Sequence, residues 1–178
     1  KPATGQKPGE PTKYRFLTDL RKLNSIIVPQ FYPLPTIDDC TAMLGNAKPT
    51  LFTVLDQTSG YYSLPLDESC AYKTAFTVKN AHYHWLRLPM GLNTSPACYN
   101  FAIANLLKGT LKDHGLIYLD DMALVSDNFQ NHLDLLKRVF SKFRENGLRF
   151  NPSKSALAME SIKFLGFVIS SKGINIDN

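Results

Sequence analysis

Three carboxylates at the ends of apolar runs carry the clearest chemistry in this 178-residue sequence. Asp120 and Asp121 are adjacent and lie between Leu116-Ile117-Tyr118-Leu119 and Met122-Ala123-Leu124-Val125. Both flanks have strand character, so the segment reads as a hairpin with the acids at or beside its turn. Asp is a common turn residue, which gives one reading. A hairpin between strands this apolar, however, usually turns on Asn-Gly or Asp-Gly, which reach φ > 0 cheaply. Two neighbouring negative charges beside a buried hairpin repel each other and need a counter-ion. A hard divalent cation with carboxylate ligands is therefore the second reading. Asp56 ends a further apolar run, Leu51-Phe52-Thr53-Val54-Leu55, and strand alternation sends it the way of Phe52 and Val54. If that strand lies beside the hairpin, three acids converge at one sheet edge. Such a site can hold two metal ions about 3.5–4 Å apart for phosphoryl transfer.

The elements that must position these acids follow from periodicity and caps. Phe129, Leu133, Leu136, Phe140 and Phe143 recur at helical spacing, and Asn146-Gly147 ends that helix. Ser95 and Pro96 read as N-cap and first turn of a helix from Ala97 to about Leu107. Thr36 caps another to about Leu44, with Asp38 and Asp39 as first-turn acids favoured by the helix dipole. Tyr14 to Asp19, Ser63 to Leu66, Ala75 to Lys79 and His82 to Leu88 read as strands, the last two joined about Asn80-Ala81. Together these predict an α+β fold, an antiparallel sheet carrying Asp56 and the Tyr118 hairpin, backed by the helices beginning near Ser95 and Asn128.

Composition sets wider bounds. A hydrophobic content of 44% suits one globular domain or two subdomains sharing a core. The net charge of +5 permits a polyanionic partner. Lys1, Lys7, Lys13, Arg15, Arg21 and Lys22 face only Glu10 and Asp19 in the first 24 residues, and a second basic excess runs from Lys137 to Lys163. Cys40, Cys70 and Cys98 lack any Cys-x-x-Cys pairing, so neither a zinc site nor a disulfide framework follows, and a reducing intracellular setting is expected. No apolar run is long enough to cross a membrane. The sequence opens without Met and reads as a piece of a larger polyprotein.

Tyr118-Leu119-Asp120-Asp121 resembles the Tyr-x-Asp-Asp box of reverse transcriptases, and Leu55-Asp56-Gln57-Thr58-Ser59-Gly60-Tyr61-Tyr62 resembles their first catalytic motif. Tyr32-Pro33-Leu34-Pro35, Lys73-Thr74-Ala75-Phe76 and Leu88-Pro89-Met90-Gly91-Leu92-Asn93-Thr94-Ser95-Pro96-Ala97 match in the same order. The likeness spans nearly the whole chain and is strongest to gypsy-type LTR retrotransposons and their endogenous retroviral relatives.

The resemblance implies an RNA-directed DNA polymerase, a nucleotidyltransferase on a right-hand palm. Residues 1–31 and 63–94 would be partial fingers, and 32–62 and 95–178 palm, with a primer-grip hairpin near 164–170. Asp56, Asp120 and Asp121 would be catalytic and hold two Mg²⁺ ions, with Mn²⁺ a possible substitute, and Lys154 would be the proton donor to the leaving group. The dNTP would meet Lys13 and Arg15, with Lys1 assisting, the turn Gln57, Thr58, Ser59 and Gly60, then Tyr61, Met90 and Gly91. In this scheme Tyr61 excludes a 2′-hydroxyl while Tyr62 turns into the core. Met90 departs from the pattern, where retroviruses have Gln and most gypsy-type elements Phe. Arg21, Asn24, Tyr118, Leu165 and Gly166 would touch template or primer. Implied partners are an RNA or DNA primer–template, dNTPs, and the thumb, RNase H and integrase of a Pol polyprotein, in the cytoplasm within virus-like particles. Two rival readings are an RNA-directed RNA polymerase, which Tyr61 argues against, and an inactive fragment or relic that binds nucleic acid.

Overall fold

A computed structural model describes residues 16–176. In chain order the elements are α1 (Arg21–Asn24), α2 (Ile37–Ala47), β1 (Leu51–Asp56), α3 (Gly60–Ser63), α4 (Glu68–Ala71), β2 (Phe76–Val78) and β3 (Ala81–Tyr83). Then come α5 (Ser95–Leu106), β4 (Gly115–Tyr118), β5 (Asp121–Ser126), α6 (Phe129–Glu145), β6 (Ala156–Met159), β7 (Ser161–Phe164), β8 (Phe167–Ser170) and β9 (Gly173–Ile176).

The central sheet has the order β4-β5-β1-β6 with every pairing antiparallel. Alternation along β1 and β5 divides the core in two. Leu55, Met122 and Leu124 face a cluster built with Tyr99, Ile103 and Leu107 beside Leu135, Leu136, Val139 and Phe143 of α6. Phe52, Ala123 and Val125 face a second cluster with Cys40 and Met43 of α2 and with Ile162, Phe164 and Ile169 of the β7–β9 sheet. Each fully buried Leu or Phe contributes about 1.5–3 kcal/mol, so the strands ending in acids are held firmly from both faces.

Local chemistry fixes the helices. The Thr36 hydroxyl accepts from Asp39 N–H at 3.2 Å while the Asp39 carboxylate accepts from Thr36 N–H at 2.6 Å, closing a capping box on α2. Asn128 caps α6 by accepting from Asn131 N–H at 2.9 Å. His132, fully buried on α6, sits 2.7 Å from Thr53 Oγ1 and 3.0 Å from Ser126 Oγ, which ties the helix to both central strands.

Several expectations change. Residues 16–20 carry no regular structure, and Tyr14 and Arg15 lie outside the described residues. Ser63 ends α3, and Pro65 makes only an isolated bridge to Arg87 instead of starting a strand. A proline cannot donate to a ladder, so this run cannot be a paired interior strand. The β2–β3 turn is Lys79-Asn80, one residue earlier than expected, with Val78 opposite Ala81. Ser95 is already helical and Thr94 takes the cap position, while the Ser95 hydroxyl donates to the Pro89 carbonyl at 2.8 Å. Burial decides this, because the hydroxyl must satisfy the carbonyl enclosed with it.

Candidate active site

The antiparallel register from Leu51↔Ser126 ends by setting Asp56 directly opposite Asp121. Asp56 shares side-chain parity with Phe52 and Val54, and Asp121 with Ala123 and Val125, so both carboxylates leave the sheet on the same face. Tyr118, also opposite Asp121, is packed against the second core cluster. Leu119 and Asp120 form the two-residue turn between β4 and β5, so the acid pair straddles the turn and the strand start.

That turn is strained and clamped. Leu119 has φ +52, a left-handed conformation that costs a non-glycine residue about 1–2 kcal/mol. Its N–H donates to Asn100 Oδ1 at 3.1 Å, and the Asp120 carbonyl accepts from Gln57 N–H at 2.8 Å. Beside it, Gly60 is buried at the start of α3. A Cβ on Gly60 would stand 3.2 Å from Asp120 Cγ and 3.2 Å from Tyr99 Cε2, so this glycine makes room for the acid.

Among the described residues, Lys154 is the cation that acts on these acids. Its ammonium lies 3.3 Å from Asp56 Oδ2. The loop carrying it is tied to the end of β1: Asn151 N–H donates to the Asp56 carbonyl at 2.8 Å, and Asp56 N–H donates to Ser155 Oγ at 3.2 Å.

Electrostatics concentrate at the three acids. Burial, then the charges of Asp121 and Asp56, push the Asp120 carboxyl above its ordinary range, with Lys154 opposing. Burial and Asp56 raise Asp121 likewise, again against Lys154. Burial and Asp120 raise the Tyr61 phenol, and burial raises Tyr99 much further, so both rings are neutral and repel no acid. Among the described residues no three His, Cys, Asp or Glu side chains form a ready-made metal cluster. A divalent cation nonetheless fits the charge pattern, because Asp120 Oδ1 is buried without a partner among the described residues and the carboxylates penalise one another.

Residues expected around the nucleotide divide into two groups. Thr58, Ser59 (φ +54), half-buried Met90 and Gly91 (φ +99) keep exposed or partly exposed positions in turns. Tyr61 packs edge-on against Tyr99 with ring centroids 5.4 Å apart. Gln57, by contrast, is buried: its side-chain oxygen accepts from the Tyr99 hydroxyl and its amide donates to Ser63 Oγ at 3.2 Å. Its side chain is therefore spent inside the fold. Tyr62, expected to turn into the core, is only half-buried and instead stacks on Trp85 at 5.3 Å. Lys1, Lys13 and Arg15 lie outside the described residues.

The residues expected at template and primer also separate. Asn24 donates to the Gly91 carbonyl at 2.7 Å and accepts from Asn93 N–H at 3.0 Å, so it braces the turn before α5. Arg21 pairs with Asp19 at 2.6 Å. Leu165 and Gly166, with φ +53 and +80, form the turn between β7 and β8, with Gly166 exposed and Leu165 half-buried against the second core cluster. Sequence reasoning missed Tyr99 and Asn100, which hold the turn. The only hint was a polar residue beside Tyr99 in a largely apolar helical run.

A family described as reverse transcriptase (RNA-dependent DNA polymerase) matches residues 5–169. The Retrovirus-related Pol polyprotein from transposon 297 of Drosophila melanogaster is 36% identical over 162 residues, covering 91% of this chain and 15% of that protein. The corresponding polyprotein from transposon gypsy is 34% identical over 169 residues, covering 95% of this chain and 16% of that one. Among solved structures, foamy viral protease-reverse transcriptase in complex with ds DNA matches with a TM-score of 0.83 at 26% identity, covering 98% of this chain and 30% of that chain. The same viral protein with an RNA/DNA hybrid matches with a TM-score of 0.78 at 26% identity, covering 89% and 21%. The chain thus spans only a small part of the length of these relatives.

Proposed function

The chain belongs to the reverse transcriptase family, and we propose that it carries the polymerase centre of a longer Pol polyprotein that adds deoxynucleotides to a primer 3′-OH. The observation that carries this reading is the register pairing of Asp56 with Asp121, beside Asp120 in a clamped turn. No covalent intermediate is needed, since phosphoryl transfer depends on positioning and charge stabilisation.

Asp56, Asp120 and Asp121 would hold two Mg²⁺ ions, with Mn²⁺ as a substitute. When bound, such ions activate the 3′-OH and neutralise the triphosphate and the leaving pyrophosphate. The chain's own residues do the rest. Lys154, whose exposed ammonium lies 3.3 Å from Asp56 Oδ2, would give a proton to the leaving group. Tyr61 limits room beside the acids for a 2′-hydroxyl. Thr58, Ser59, Gly91 and Met90 border the nucleotide, with Arg15 and Lys13 reaching its phosphates. Residues 63–94 then act as fingers with 1–31, on a palm of 32–62 and 95–178. The β7–β8 turn at Leu165 and Gly166 grips the primer near Tyr118. The foamy viral neighbours are complexes with ds DNA and an RNA/DNA hybrid, which supports a primer–template as the ligand. The thumb, RNase H and integrase belong to the rest of the polyprotein, acting in the cytoplasm within virus-like particles.

Primer extension by the full-length protein on RNA and DNA homopolymer templates, in Mg²⁺ and in Mn²⁺, tests the reading. Wild type should extend on both templates, and Asp120→Asn should lose at least about a hundredfold in kcat, about 2.7 kcal/mol of transition-state stabilisation. Greater residual activity in Asp120→Asn would show that this acid does not serve the reaction.

A further inference from the structure

We propose that Asn100 is the positioning residue of the Asp120-Asp121 turn: its side-chain oxygen holds Leu119 in the left-handed conformation that sets where the two acids stand. Only the catalytic consequence rests on the polymerase reading above.

A comparison of two tight hairpin turns in the palm sheets makes the case. Both begin with a leucine at nearly the same angle, Leu119 at φ +52 and Leu165 at φ +53. In the β7–β8 turn the second residue is Gly166 at φ +80, so both central residues are left-handed, the type I′ pattern. In the β4–β5 turn the second residue is Asp120, which is not left-handed. A positive φ at the first position alone is the type II′ pattern, and that position favours glycine. Leu119 therefore stands where its own backbone preference opposes the turn, and something outside the hairpin must hold it.

Asn100 meets that need in a directional way. The group it touches is an N–H, so the amide must present its oxygen, and no flipped amide satisfies the contact. The residue is only 3% exposed, and its Nδ2 is buried with no partner among the described residues. Half of its hydrogen-bonding capacity is idle in a helix that otherwise contributes Tyr99 and Ile103 to the core. An amide kept there at such a desolvation cost is explained by its oxygen. Its neighbour Tyr99 reaches the other side of the same turn, since its hydroxyl donates to Gln57, whose N–H in turn donates to the Asp120 carbonyl. Two consecutive residues of α5 thus grip both residues of the turn, and the placement of α5 passes directly to the acids.

The test is a cycle between Asn100→Leu and Leu119→Gly in the full-length protein, with Mn²⁺ alone as the probe. Asn100→Leu should speed hydrogen exchange at the Leu119 N–H and weaken Mn²⁺ binding, each by about tenfold. The kcat for extension should fall about as far, with the KM for primer–template unmoved. In the Leu119→Gly background the turn needs no clamp, and Asn100→Leu should weaken Mn²⁺ binding by less than about threefold. Asn100→Asp keeps an acceptor in the same space and should leave Leu119 protected, which carries the test if Asn100→Leu does not fold. Unchanged exchange at Leu119 in Asn100→Leu overturns the proposal. Loss of protection in Asn100→Asp, or equal losses of Mn²⁺ affinity in both backgrounds, does so as well. Exchange and metal binding are read without polymerisation, so a protein that extends no primer refutes the polymerase reading and leaves this one intact.

Discussion

Replacing Gly60 by alanine sets two opposing effects at the same atom. Gly60 opens α3, and its φ lies outside the left-handed region, so alanine fits the backbone. Removing a helical glycine should by itself stabilise by about 0.5–1 kcal/mol. Against this, the new Cβ would stand 3.2 Å from Asp120 Cγ and 3.2 Å from Tyr99 Cε2, and closer still to Asp120 Oδ1. Overpacking of this kind costs about 1–3 kcal/mol. Tyr99 cannot retreat, because it is buried and its hydroxyl is bonded to Gln57. Asp120 must therefore move. The expected net loss is about 1 kcal/mol, or about 2–4 °C in Tm for a chain of this size, with extension falling more than about a hundredfold. Thermal unfolding of Gly60→Ala alone and in the Asp120→Ala background separates the causes. Without the carboxylate the clash largely disappears, and Tm should hold or rise. An equal drop in both backgrounds would show that Gly60 does not serve Asp120.

Three further outcomes follow from the same geometry. The native state holds the Asp120 proton more tightly than the unfolded chain, so metal-free stability should fall as pH rises from about 3.9 through the raised folded pKa and stay low above it. Asp120→Asn should therefore raise Tm at pH 7 in a chelator and flatten that slope; a lower Tm would contradict the electrostatic account. His132 behaves in the opposite sense: burial lowers its pKa, so stability is full above about 6.5 and falls as pH drops towards the folded value. Denaturant titration of His132→Leu across pH 5–8 should show that slope gone and about 1–3 kcal/mol lost, chiefly from the Ser126 hydroxyl, since Thr53 Oγ1 still accepts from Ala158 N–H at 2.9 Å. Tyr61→Ala should raise kcat/KM for ribonucleotides relative to deoxynucleotides. Tyr62→Ala should leave selectivity alone and cost about 0.5–1.5 kcal/mol from its lost stacking on Trp85, and a selectivity change in Tyr62→Ala instead would move the gate.

The parts of the fold legible in the sequence are those whose signal is local. The stripe from Phe129 to Phe143 writes α6 in its own spacing, and Thr36 with Asp39 announces α2 within four residues. β1 and the β4–β5 hairpin show because apolar runs end in acids. By contrast, β6 is Ala156–Met159, a short strand with no β-branched residue and with Ala158 at φ +51. It pairs with β1 through a register shift, so it exists because β1 offers an edge. The predicted strand at Ser63–Leu66 shrinks for a local reason: Ser63 closes α3, and only Leu64 and Leu66 bond to Leu88 and Leu86, on either side of the single Pro65–Arg87 bridge.

At the site, the reactive residues were readable and their supports were not. Carboxylates at strand ends stand out because burying them is costly, whatever lies nearby. Amides carry no such mark. Gln57 and Asn24 look free in the sequence, yet both are consumed by the fold, Asn24 on a carbonyl 67 residues away. Asn100 looks like an ordinary helical residue, yet its partner is a backbone N–H 19 residues on, and a backbone group leaves no trace in composition. Nor does the sequence reveal that Leu119 is left-handed, since leucine is the last residue a turn rule would put there. The strain and its clamp are visible only together. A Tyr-x-Asp-Asp run thus marks where acids are, while the amides of Gln57 and Asn100, the backbone of one and the side chain of the other, fix how those acids are held.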